Sequence, residues 1–330
     1  MLTLVIVIVI FALIFDFING FHDAANAIST IVVSRTLTPL QAVILAGFAN
    51  FIGYFTFGTA VAKMVGKGVV SLEFITLHII LATLIGAIIW NIITWLWGIP
   101  TSSSHALVGA LIGSAVVSSG AKVIIVGGLV KILLFILIAP ILGFIGAVFF
   151  TALVIRIFRP VNPFKAGKIF RWLQLVSATC YSIGHGTNDA QKTMGIIALT
   201  LFTAKINSTF VINDWVIFAS YSAISLGTAF GGWRIVKTMG TNITKIRQME
   251  GFCAETAAAV VLIGTAHAGI PVSTTHVIAG AIMGVGTVEH VNNVRWITAR
   301  QIIWAWIITI PITAMLSGLT YFLLSLMKIS

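Results

Sequence analysis

Two stretches of this chain gather groups that bind anions. Gly98 to Gly113 reads GIPTSSSHALVGALIG, and Gly269 to Gly284 reads GIPVSTTHVIAGAIMG, 171 residues further on. The copies share Gly-Ile-Pro, a hydroxyl triplet (Ser102, Ser103 and Ser104 against Ser273, Thr274 and Thr275), a histidine (His105 against His276) and a pair of glycines. In each copy the proline ends one apolar helix and the hydroxyl residues open the next. Free backbone N–H groups and hydroxyls then converge on a helix N-terminus, which suits an oxyanion. A single triplet would read most simply as an N-cap. Its duplication points instead to two termini that enclose one tetrahedral anion from both sides.

A second chemistry interrupts the apolar segments. GFHDAANA at 20–27 aligns with GTNDAQKT at 186–193, which sets Asp23 against Asp189 and His22 against Asn188. A charge inside a membrane segment costs several kcal/mol unless it meets a partner or water, so these carboxylates are functional candidates. Their small and amide neighbours (Ala24, Ala25 and Asn26; Asn188 and Gln191) predict that each helix unwinds here. Carboxylate, amide and freed carbonyl oxygens would then cage a small cation. The competing reading is that these groups only hydrogen-bond helices together. His22 is a candidate proton relay or a helix-packing histidine. Lys192 is placed to neutralise Asp189 or attract the anion, and Glu255 in GFCAETAAA is a third intramembrane carboxylate. Asp16, His105 and His276 are weaker candidates, Lys131 reads as a snorkelling residue, and Cys180 and Cys253 read as core.

These groups need a scaffold, and composition says which. Of 330 residues 59% are hydrophobic and 8% charged, with mean hydropathy +1.10, which is the composition of a membrane protein. The net charge of +11 falls in short loops between apolar runs, so positive-inside topology accounts for it and nucleic-acid binding does not. The first apolar segment has no basic leader or cleavage pattern and is expected to stay as the first membrane helix. Further runs cover about Leu40 to Ala62, Thr76 to Trp97, Val123 to Ile155, Trp172 to Phe202, Asn213 to Gly231, Gly251 to His267 and Ile297 to Met327. FGTA at Phe57 matches LGTA at Leu226, a third repeat in the same order.

The expected fold is an all-α integral membrane protein of about ten transmembrane segments in two inverted-topology repeats. Residues 1–155 form the first repeat and 172–330 the second, joined by the basic linker 156–171. Five spans per half invert the second half. Placing the basic linker in the cytoplasm puts both termini outside the inner (plasma) membrane. The GIP helices either span fully or are short re-entrant elements.

At these residues the sequence resembles the inorganic phosphate transporter (PiT) family of secondary carriers. GFHDAANA stands for its GANDVANA-like motif, GTNDAQKT for GANDVQKA, and PTSSSH and PVSTTH for its paired P-[IV]-S-x-[ST]-H elements. The resemblance implies inverted repeats, a phosphate site between the hydroxyl-bearing elements and symport with Na⁺ or H⁺, without any other cofactor. It implies phosphate contact by Thr101, Ser102, Ser103, Ser104, Ser273, Thr274, Thr275 and Gln191. It implies coupling-ion contact by Asp23, Asn26, Asn188 and Asp189, beside which the polar groups His22, Glu255 and Lys192 read as relay or support. His22 stands where many members have Asn, a variant that looks like the bacterial proton-coupled type and is similar to carriers of metal-phosphate complexes. The partners expected are phosphate and the lipid bilayer, with homo-oligomerisation compatible.

Three other readings compete. A sulfate permease of the same fold would use the same helix termini, although only phosphate can donate a hydrogen bond to Asp23 or Asp189. An intramembrane hydrolase is disfavoured because no nucleophile stands out from its duplicate. A channel would be separated by flux that neither saturates nor concentrates.

Overall fold

The computed structural model describes residues 1–55 and 58–327. The FGTA match at Phe57 lies partly outside them. Among the described residues the regular structure is helical, apart from one isolated backbone bridge between Val70 and Ile124. The chain runs through α1 (Leu2–Val33), α2 (Pro39–Ile52), α3 (Ala60–Lys67), α4 (Leu77–Trp97), α5 (Ser103–Ser119) and α6 (Val126–Phe158). It continues through α7 (Pro163–Thr203), α8 (Asp214–Phe230), α9 (Trp233–Thr241), α10 (Gln248–His267), α11 (Thr274–Glu289) and α12 (Trp296–Leu326). Helices α4 to α6 thus recur as α10 to α12. Even the prolines inside α6 and α12, Pro140 and Pro311, keep the spacing of the GIP elements.

Local chemistry sets several boundaries. Thr38 caps α2 reciprocally with Gln41, with Pro39 at the first helical position. Asn162 caps α7, accepting from Phe164 N at 2.9 Å, and Pro163 follows it. This cap corrects the expected basic linker: only 159–162 separate α6 from α7, and most of 156–171 is the ends of two long helices. The helices α4 and α10 are followed by Gly98 and Gly269 at φ +66° and +65°, left-handed positions that glycine occupies without a Cβ clash.

Among the described residues five helices are long and apolar enough to cross a membrane: α1, α4, α6, α10 and α12. The run from Leu40 to Ala62 is divided between α2 and α3, separate helices rather than one continuous one. The GIP helices α5 and α11 have 17 and 16 residues. At 1.5 Å per residue each is about 25 Å long, short of a ~30 Å hydrocarbon core. Exposed apolar side chains such as Leu137, Ile145 and Phe149 on α6 and Ile307, Met315 and Leu319 on α12 form a lipid-facing wall. Cys180, expected in the core, is exposed, while Cys253 is buried.

The two sets of six helices interlock. The first GIP helix, α5, packs on α12, and the second, α11, packs on α6. Helix α1 likewise lies against α8, and α7 against α2. The glycines shared by the GIP copies sit at these crossings: a Cβ on Gly113 would lie 2.0 Å from Ala314 O, and one on Gly280 would lie 2.2 Å from Pro140 O. Such backbone-to-backbone approach needs small residues. It carries each GIP helix into the middle of the molecule, with its N-terminus buried among α1 and α7.

Candidate functional site

The polar residues singled out by the repeated motifs are inside. Asp23, Asn26, Thr101 to Ser104, Asn188, Asp189, Gln191, Lys192 and Ser273 to Thr275 are all buried. An apolar outer wall and a polar interior are what a bilayer selects.

Helix α1 runs unbroken through GFHDAANA, and α7 runs unbroken through GTNDAQKT. The expected unwinding does not occur. Alanines favour helix, and the polar side chains bond to other helices instead of competing for their own backbone. The carbonyls there stay in helical hydrogen bonds, so the oxygens on offer come from side chains.

Each hydroxyl triplet divides its work. The first member is a cap: Ser102 Oγ accepts from His105 N and Ser273 Oγ from His276 N, both at 3.2 Å. The second turns to a carboxylate, Ser103 donating to Asp23 Oδ2 at 3.4 Å and Thr274 to Asp189 Oδ2 at 3.2 Å. The third meets the residue three places beyond that Asp, but in the other half's motif. Asn26 Nδ2 donates to Thr275 Oγ1 at 2.8 Å, and Lys192 Nζ donates to Ser104 Oγ. Thr275 also donates to Thr101 O at 3.2 Å, and Thr101 Oγ1 to Thr94 Oγ1 at 3.0 Å. Both GIP termini and both Asp motifs therefore form one cluster.

Within it Lys192 bonds Asp189. His22 bridges Asp23, at 2.8 Å through Nδ1, and Thr94, at 3.1 Å through Nε2. His185 lies one turn before Asp189, 3.3 Å from its carboxylate, with its other nitrogen 3.2 Å from Asn50 Oδ1. Ligand atoms of Asp23, His185 and Asp189 all fall within 4.8 Å of one another, a spacing that can hold a cation. With the histidines neutral, Asp23 and Asp189 against Lys192 leave one net negative charge in a buried site. An incoming anion would deepen that charge, and uncompensated charge in a low-dielectric interior is strongly disfavoured.

Other expected residues stand to one side. Gln191 Oε1 accepts from Val61 N at 2.9 Å and Ala62 N at 3.3 Å, so it caps α3 from across the fold. Asn188 Nδ2 donates to Gly184 O and Leu262 O, both at 3.0 Å, while its Oδ1 has no partner. Glu255 sits in its own cage, accepting from Thr30 and Ser177 at 2.5 Å each and from Gln174 at 3.2 Å. The rings of His105 and His276 meet edge to face with centroids 4.5 Å apart, and His276 stacks on Trp306 at 3.8 Å. Lys131 is half-buried on α6.

Sequence reasoning missed His185 and Thr94. His185 had a signal, since it precedes Asp189 by four and shares its helix face. Thr94 had none, because only the fold of the GIP loop back onto α4 brings it to His22.

The sequence profile described as the Phosphate transporter family matches residues 19–317. A protein of Rhizobium meliloti (strain 1021), named "Probable low-affinity inorganic phosphate transporter", is 50% identical over 312 residues, covering 94% of this chain and 93% of its own. A protein of the same name from Bacillus subtilis (strain 168) is 46% identical over 333 residues, covering 99% and 98%. Among solved structures, one described as "The sodium-dependent phosphate transporter" superposes with a TM-score of 0.91 at 25% identity, over 98% of this chain and 99% of that one.

Proposed function

Because this chain belongs to the phosphate transporter family, we propose that it is a symporter that carries inorganic phosphate across the inner membrane by alternating access. It is a multi-pass membrane protein, and relatives named as transporters and permeases place it outside the enzymes. Phosphate is bound between the N-termini of α5 and α11 by Thr101, Ser103, Ser104, Thr274, Thr275 and Lys192, with Ser102 and Ser273 holding the termini in place. Asp23 and Asp189, with Asn26 and Asn188, receive the coupling cation. His22 relays or orients at Asp23, Gln191 braces α3, and Glu255 ties α10 to α1 and α7. Residues 1–155 and 172–330 act as inverted repeats that rock around this midplane site, with both termini outside.

One observation carries the reading. Two buried helix termini each present hydroxyls to a carboxylate of the same cluster, which with the histidines neutral sets two carboxylates against one ammonium. An anion is accommodated there only together with cations, which is the requirement for symport. The sodium-dependent neighbour favours Na⁺ as the coupling ion, and His22 favours H⁺. The relatives named above are phosphate proteins, so the sulfate alternative has no support.

The test is uptake of labelled phosphate into proteoliposomes under separately imposed Na⁺ and H⁺ gradients, with excess sulfate as competitor. Saturable uptake above the equilibrium level, driven by one gradient and indifferent to sulfate, is expected. Flux that never saturates would mean a channel, and entry of labelled sulfate would mean the wrong anion. Adding a divalent metal distinguishes free phosphate from a neutral metal-phosphate complex.

A further inference from the structure

A polar cavity of about 410 Å³ lies between the end of α6, the loop before α10, the end of α11 and the start of α12. Lys245, Arg247 and Arg295 line it, with the amides of Asn292 and Asn293 and one acid, Glu250. None of the three cations has an ion pair, since among the described residues every ion pair belongs to the central cluster. Glu250 is occupied at the start of α10, where its Oε2 accepts from Arg247 N at 3.0 Å. The Thr151 hydroxyl, on a residue 1% exposed, also lines the cavity and has no hydrogen-bond partner. Ten residues of α11 separate Val285 on the cavity wall from Thr275 in the central cluster, about 15 Å at the helical rise.

Positive-inside topology explains why a loop carries cations, but not why three of them converge on one hollow. The fold does not require them. Arg295 N donates to Ile243 O at 2.8 Å, and in the other half Ile125 N donates to Val69 O at 2.9 Å, so the two loops close alike. Counted from those carbonyls, Ser71 and Glu73 stand where Lys245 and Arg247 do, and Ile125 stands for Arg295. Depth identifies the occupant. On α6 the charges of Lys131 and Arg156 are 25 positions apart, about 37 Å at the helical rise, a little more than a ~30 Å hydrocarbon core. Ile155, beside Arg156, lines the cavity and is exposed at the foot of the lipid-facing wall of α6. The hollow therefore opens at the level of the lipid headgroups. Guanidinium groups pair with phosphate oxygens in bidentate fashion, an ammonium adds a point charge, and basic pockets between membrane helices hold lipid phosphates.

We propose that Lys245, Arg247 and Arg295 form a separate phosphate site, which takes the phosphodiester of an anionic lipid from the adjoining leaflet. Free inorganic phosphate shares that chemistry, but the depth of the cavity favours the lipid. The bound group joins the loop before α10 to the loop before α12 around the end of α11. There Thr244 Oγ1 donates to Asn293 O at 3.1 Å and would lie 2.7 Å from a Cβ on Gly286. The lipid thus steadies the far end of the helix whose N-terminus faces the central cluster. The site stands apart from the symport reading and needs only that the chain lies in a membrane.

The experiment places the full-length chain in phosphatidylcholine bilayers holding labelled phosphatidylglycerol, whose headgroup carries a phosphodiester and no other charge, and counts the label retained after exchange into detergent. The native chain is compared with a triple variant, Lys245→Gln with Arg247→Gln and Arg295→Gln. A second triple variant, Arg159→Gln with Lys165→Gln and Lys168→Gln, removes the same charge from the α6 to α7 connection, outside the cavity lining. The native chain and the second variant are expected to retain about one phosphatidylglycerol per chain, and the cavity variant at least fivefold less. Binding of labelled inorganic phosphate is expected to stay within twofold of native in both variants. Equal retention of lipid by the two variants would mean general surface charge and overturn the site. A second inorganic phosphate per native chain in phosphatidylcholine alone, absent from the cavity variant, would overturn the lipid as the source of the phosphate group. Loss of all inorganic phosphate binding in the cavity variant would show that these cations serve the central cluster and would overturn a separate site.

Discussion

The Asn26 amide donates to Thr275 Oγ1 at 2.8 Å across 249 residues of chain, and at the equivalent place in the other motif Lys192 donates to Ser104. Each Asp motif thus holds the GIP terminus of the opposite half. The exchange of Asn for Lys makes the arrangement electrically uneven. Asp189 has a cation beside it and Asp23 has His22. In the functional reading proposed above, the Lys192 side attracts the anion and the Asp23 side is left open to the coupling cation.

Lys192→Met will strand the Asp189 carboxylate in the interior, and removing one partner of a buried pair costs roughly 3–5 kcal/mol. Thermal unfolding in detergent is the measure. The double variant Lys192→Met with Asp189→Asn is expected to regain most of that stability but no phosphate uptake. A double variant as unstable as the single one would show that the pair does not dominate the loss.

Asp23→Asn and Asp189→Asn will each abolish gradient-driven uptake while the protein remains in the membrane at near-native amount. Membrane quantification and labelled phosphate uptake decide together. Normal uptake in both variants would remove the carboxylates from ion coupling.

The hydroxyl triplets can be separated by function. Ser102→Ala and Ser273→Ala remove caps and are expected to cost about 1 kcal/mol each in stability, with phosphate KM within threefold. Ser103→Ala and Thr274→Val remove the hydroxyls that face Asp23 and Asp189, and a tenfold or greater rise in KM is expected with less effect on unfolding. Equal KM shifts in all four variants would mean that the triplets act only as helix starts.

Gly280→Ala places a Cβ 2.2 Å from Pro140 O, a backbone atom that cannot rotate away. The α11 to α6 crossing must widen, at a cost of about 1–3 kcal/mol. Thermal unfolding of the purified variant checks it, against Gly264→Ala as the control, where an added Cβ meets nothing within 4 Å.

His22→Asn removes the bridge between Asp23 and Thr94. Phosphate exchange at equal concentrations on both sides is expected to persist, and stimulation of uptake by an inward H⁺ gradient is expected to disappear. Retained H⁺ stimulation would exclude His22 as the relay.

Composition and periodicity determined on their own that this chain is helical and lives in a membrane, because a hydrocarbon core demands long apolar segments and internal hydrogen bonding. The duplicated motifs likewise made Asp23, Asp189 and the two hydroxyl triplets legible, since charge and hydroxyl clusters at equivalent places of a repeated sequence stand out from an apolar background. Tertiary structure alone decided how those groups meet. The alanines of GFHDAANA favour helix, but that α1 stays helical through Asp23 also depends on Ser103 and Thr275 arriving to satisfy its side chains. Gln191 looked like a ligand beside Asp189, yet helix α3 comes within reach and takes its oxygen. Local sequence specifies which groups are expensive to bury, and only the packing of distant segments determines which of them are satisfied.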